Sequence, residues 1–131
     1  HNWYNYNLRI DFDAAGWTGD RRRFRAAVNA ALNAEGVPTS IWQQFILPEM
    51  TVFQAKNAYG GGFPWSIPGA DEGVDYNPER FPVARRHCES YITLVMALRA
   101  PNGPDMAERI ALAIRKVFDQ IDQIDPDRIL Q

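Results

Sequence analysis

Apolar residues fall on alternate positions near the start of the chain: Tyr4, Tyr6, Leu8, Ile10 and Phe12, interleaved with Asn5, Asn7, Arg9 and Asp11. That is the period of a strand with one buried and one solvated face. Asp13-Ala14-Ala15-Gly16 ends it, and Thr18 or Asp20 is offered as a helix N-cap. Phe24, Val28 and Leu32 then recur at helical spacing beside Ala27 and Ala31. They predict a helix over residues 19 to 35 with a narrow apolar stripe, its alanines suited to close packing on a sheet. Gly36 stands where the last turn needs a left-handed residue, and Pro38 forbids continuation. A short extended piece is expected over 37 to 41.

Beyond it the period is lost. Ile41, Trp42 and Phe45 sit among Gln43 and Gln44 with no single apolar face. One or two helical turns are expected over 49 to 57, with Met50 and Phe53 inward. From 58 to 82 the chain is punctuated by Gly60-Gly61-Gly62, Pro64, Pro68, Gly69, Gly73 and Pro78, which reads as a long loop. Its rings, Tyr59, Phe63, Trp65 and Tyr76, argue against disorder. Pro82 suits the first turn of a helix, and Val83, Ala84, His87, Cys88 and Tyr91 would share one side of it.

Residues 93 to 98 are apolar on both faces and read as a central strand. Met106, Ile110, Ile114, Val117, Ile121 and Ile124 then mark the strongest amphipathic helix. Pro126 stops it, and 126–131 is expected to be a frayed tail. Helices and strands interleave, so the expected fold class is α+β. The expectation is a two-layer domain over 1–131, a small, mostly antiparallel sheet covered on one face by helices.

Composition narrows the function classes. A net charge of -2 gives no bulk attraction to nucleic acid or acidic membranes. No apolar run approaches the ~20 residues of a membrane helix. The single cysteine, Cys88, excludes an intrachain disulfide, and a reducing compartment, the cytoplasm, is expected. The chain starts with His1 rather than Met, and it is expected to be the C-terminal part of a longer one.

Candidate chemistry is sparse. Arg21, Arg22, Arg23 and Arg25 stand in the first turns of a helix, where positive charge opposes the macrodipole; a solvated face or subunit contact is expected. His87 and Cys88 are adjacent and point about 100° apart on a helix, so they cannot share a metal. No metal site is expected, and Cys88 reads as a buried core residue. Gly60-Gly61-Gly62 lacks the strand and helix of a phosphate loop and reads as a turn. The lysines are Lys56 and Lys116; neither stands in the clearly apolar surround of a Schiff-base lysine, and Lys116 is expected in solvent.

The order of several short motifs is nevertheless specific. Arg9-Ile10-Asp11 ends the first strand, and Ala34-Glu35-Gly36-Val37-Pro38 closes the first helix. Phe81-Pro82-Val83-Ala84, the strand from Thr93 and Ala113-Ile114-Arg115-Lys116-Val117 follow in turn. This order resembles the C-terminal small domain of the DegT/DnrJ/EryC1/StrS family, pyridoxal-phosphate-dependent sugar aminotransferases of fold type I, over nearly the whole chain. The resemblance implies amino transfer from Glu or Gln to a keto sugar or keto-cyclitol, often nucleotide-linked. Some members of the family are instead dehydratases, and a free-standing binding module is the alternative outside it.

Pyridoxal 5'-phosphate would be bound by a large domain preceding this chain, which carries no Ser-x-His-x-x-Lys motif and alone should be inactive. The implied partners are that large domain, a second copy in a homodimer, the keto-sugar substrate and the amino donor, with neither nucleic acid nor membrane. The resemblance places Pro48 where the family shows a histidine near substrate, and Arg85 or Arg86 where it often has an acid. Trp42, Gln43, Gln44, Asn57 and Tyr59 are the residues expected to bind substrate, since amides and a phenol can hydrogen-bond hydroxyls beside an apolar ring. The same composition would serve an interface between domains. Trp3, Tyr4 and Trp42 would then form an apolar surface expecting a partner.

Overall fold

The computed structural model describes residues 5–95 and 99–131. Trp3 and Tyr4, and positions 96–98 of the expected central strand, lie outside the described residues. The chain divides into two compact units, His1–Trp42 with Glu89–Gln131, and Gln43–Cys88.

The first unit is a two-layer α+β body. Strand β1 (Tyr6–Arg9) is followed by helix α1 (Arg21–Ala34) and strand β2 (Thr39–Ser40). Strand β3 (Tyr91–Leu94) lies between β1 and β2 and pairs antiparallel with both. Leu8 is opposite Ile92, and Thr39 is opposite Leu94. All four residues of β3 are buried, as a central strand paired on both sides requires. The strand begins at Tyr91, a residue expected on the preceding helix, and ends at Leu94 rather than running over 93 to 98.

Local chemistry sets the bounds of α1. The Asp20 carboxylate accepts from the Arg23 backbone N–H at 3.0 Å, so Asp20, not Thr18, caps the helix. At the other end Gly36 adopts a φ of 81°, a left-handed turn that a Cβ would strain. The Val37 N–H then returns to the Leu32 carbonyl at 2.9 Å. Asn33 fastens the connection, its amide donating to the Thr39 carbonyl and hydroxyl at 3.1 and 3.0 Å.

Phe24, Ala27, Val28 and Leu32 of α1 pack with Ile92 and Leu94 of β3 in one apolar core. Helix α4 (Pro104–Asp119) adds Ile110 and Val117 to it. The apolar period of α4 predicts a helix reaching Ile124, but the helix ends at Asp119. A 3₁₀ turn (Ile121–Gln123) and helix α5 (Pro126–Ile129) follow. Pro126, expected to begin a frayed tail, occupies a first-turn position that needs no N–H, and the Asp125 carboxylate accepts from Asp127 at 2.9 Å. Arg23 of α1 pairs with Asp127.

The arginine cluster divides. Arg21 and Arg23 are exposed, with Arg21 lying 5.3 Å from the Phe12 ring centre, whereas Arg25 is fully buried. Lys116 is exposed, as expected, and meets both Glu35 carboxylate oxygens at 2.7 Å.

The second unit is mostly loop. A 3₁₀ turn (Leu47–Glu49), helix α2 (Thr51–Gln54) and a second 3₁₀ turn (Pro78–Arg80) precede helix α3 (Pro82–Ser90), which carries the chain on into β3.

Candidate functional site

Residues between Gln43 and Cys88 form an open cleft of about 530 Å³ within that unit. Ile46, Leu47 and Pro48 make one wall. The rings of Phe53, Tyr76 and Phe81 make the next, and α3 contributes Ala84, His87 and Cys88. These three α3 residues follow the i, i+3, i+4 spacing that puts side chains on one helix face. Cys88 is buried as expected, and its thiol contacts the Gln43 carbonyl at 3.6 Å.

Hydrogen bonds hold the walls. The Gln54 amide nitrogen donates to the Pro48 carbonyl at 2.6 Å and the Tyr76 carbonyl at 2.9 Å, so one side chain ties two walls together. The Ile46 N–H donates to the Glu49 carboxylate at 3.1 Å. Trp65 donates its indole N–H to the Tyr76 hydroxyl at 3.0 Å and stands edge-on to that ring. Phe53 and Tyr76 lie 5.2 Å apart, tilted by 47°, a favourable aromatic geometry.

The long loop is pinned from beneath. Lys56, at a φ of 47°, pairs with Asp71 and donates to the Val74 carbonyl at 3.3 Å. Asn57 accepts from the Gly62 N–H at 3.2 Å, which fixes the glycine turn. The Asp75 carboxyl is held below its ordinary pKa, first by the Asn77 backbone N–H it accepts and then by Arg80.

Of the residues expected to bind substrate, Gln43 lines the cleft. Gln44 is exposed, and Tyr59 is 83% exposed with its ring 5.9 Å from Phe63. Asn57 spends its carbonyl oxygen on Gly62. Trp42, 66% exposed, closes the first part of the other unit. The lining also includes Ala84, His87 and Cys88, read from the sequence as one helix side and not as substrate-binding residues. Gln54, which ties the walls without lining the cleft, had no sequence signal.

The side chains offer little catalytic chemistry of their own. Among the described residues no group of three His, Cys, Asp or Glu side chains could hold a metal ion. A pyridoxal phosphate site needs a lysine amine free to condense with the aldehyde. Lys56 pairs with Asp71 and Lys116 with Glu35, and neither lines the cleft, so the cleft lining offers no amine to that cofactor. Among the described residues no helix is long and apolar enough to cross a membrane. No profile of a known protein family matches the chain, and no curated protein matches it either.

Proposed function

We propose that this chain is the C-terminal domain of a pyridoxal-phosphate-dependent aminotransferase acting on a keto sugar or keto-cyclitol, with Gln43–Cys88 supplying one wall of the acceptor site. The observation that carries the reading is that Gln43 and Pro48 line the same cleft. The resemblance puts Pro48 where related enzymes place a substrate-facing histidine. Further support comes from the joints of the fold. Arg9 ends β1, Gly36 closes α1, Pro82 opens α3, and Ala113 to Val117 lie within α4.

In this role the chain positions the acceptor and leaves the bond-making chemistry to a cofactor held elsewhere. Gln43 lines the cleft, and a side-chain amide can both donate to and accept from an acceptor hydroxyl. Pro48 and the rings of Phe53, Tyr76 and Phe81 supply the apolar part of the wall. The test is steady-state kinetics of the enzyme that contains this chain. Gln43→Ala is expected to lower acceptor kcat/KM by about tenfold, the worth of one good hydrogen bond. The variant should keep the cofactor absorbance. Unchanged acceptor kinetics would remove this segment from the substrate site.

A further inference from the structure

We propose that the cleft of the Gln43–Cys88 unit binds a flat, uncharged aromatic ring system of one or two fused rings. The lining contains no Asp, Glu, Lys or Arg. An ionic ligand entering it would lose hydration without gaining a counter-charge. A polyol fares little better. The Tyr76 hydroxyl already receives the Trp65 indole N–H, and the Cys88 thiol is turned to the Gln43 carbonyl. The other polar side chains of the lining are Gln43 and His87, so a molecule that is hydroxylated all round would bury more hydroxyls than these few groups can reach, and each unpaired one costs about 1–3 kcal/mol.

A flat ring satisfies what the polyol does not. Phe53 and Tyr76 are already tilted against each other, and Phe81 lies in the same lining, so a guest ring can meet them edge-to-face or offset-stacked. The volume of about 530 Å³ falls in the range of small-molecule sites. The cleft is also built to stay open. Gln54 bridges the Pro48 and Tyr76 carbonyls, so the walls are spaced by directed hydrogen bonds. Preorganisation of this kind lowers the ordering cost of binding.

Under the proposed function such a ring is the apolar end of the acceptor. The binding itself rests on the cleft alone and requires no pyridoxal phosphate, so it can hold or fail independently of amino transfer.

The test is calorimetric titration of the full-length protein with indole, and separately with myo-inositol. Indole is expected to bind with a sub-millimolar dissociation constant, and myo-inositol neither binds there nor competes. Ala84→Trp, which fills the cleft from the exposed side of α3, should weaken indole at least about tenfold. Ala84→Leu should weaken it less, and replaces the tryptophan variant if that one loses its circular dichroism. Val83→Trp places the same bulk on α3 at a position 82% exposed and outside the cleft lining, and should leave indole binding unchanged. The proposal is overturned if indole does not bind, if myo-inositol displaces it, or if the Ala84 and Val83 variants behave alike.

Discussion

Phe24→Ala is expected to lower the stability of the protein by about 4 kcal/mol, measured as a shift in the urea denaturation midpoint at unchanged slope. The ring is 1% exposed and lies on the inner face of α1. Trp17 stacks on it with centres 4.4 Å apart and planes within 18°, and Phe12 tilts against it at 6.3 Å. Truncation therefore removes apolar burial and leaves a cavity between elements that cannot close over it. Trp17 is further anchored by its indole N–H, which donates to the Asp20 carbonyl at 3.2 Å, so it is not free to swing into the space. Phe24→Leu, which keeps most of the volume, should cost much less. A loss below about 1 kcal/mol for Phe24→Ala would mean that the site collapses readily and that the ring stack holds little together.

Ile92→Ala should follow at about 3 kcal/mol. Ile92 is fully buried in β3, opposite Leu8 of β1, and shares the core with Phe24, Val28 and Leu32. Because β3 is hydrogen-bonded on both sides, its backbone cannot shift toward the void without breaking ladder bonds to β1 or β2. The neighbouring Thr93 gives a contrast. Its hydroxyl donates to the Asn7 side chain at 2.8 Å, so Thr93→Val trades one hydrogen bond for a methyl group and should cost about 1 kcal/mol, read in the same denaturation series.

The α1–β2 region was legible because each signal there is local. Helical spacing marks the buried face, Asp20 is a capping residue in reach of its own helix, and Gly36 answers a backbone requirement at one position. The end of α4 was not. Ile121 and Ile124 continue the apolar period and do pack on the core, yet the backbone leaves the α-helix after Asp119. Apolar spacing reports which residues are buried; here it continues across a turn that the hydrogen bonding does not. Pro126 illustrates the complementary ambiguity, since a residue that ends one helix is equally fit to open the next.

The cleft lies between these cases. Its α3 face could be read from the spacing of Ala84, His87 and Cys88, and Gln43 from the amide-rich stretch that precedes α2. The bridge made by Gln54 could not, because one of its acceptors is a backbone carbonyl 22 residues away. Backbone carbonyls carry no sequence signature, so a side chain that pairs with them gives no pattern to find. Arg25 was likewise hidden inside a run of arginines, although its neighbours Phe24 and Val28 mark the face on which it is buried.

The measurement that tests the account most directly is hydrogen–deuterium exchange of the enzyme containing this chain, with and without its keto acceptor. The Gln43–Cys88 unit is rich in loop amides whose exchange a bound ligand would slow. The account predicts slower exchange on acceptor binding in peptides spanning 43–57 and 76–88, with α1 unchanged. Protection confined to other parts of the enzyme, with 43–88 exchanging as before, would contradict it.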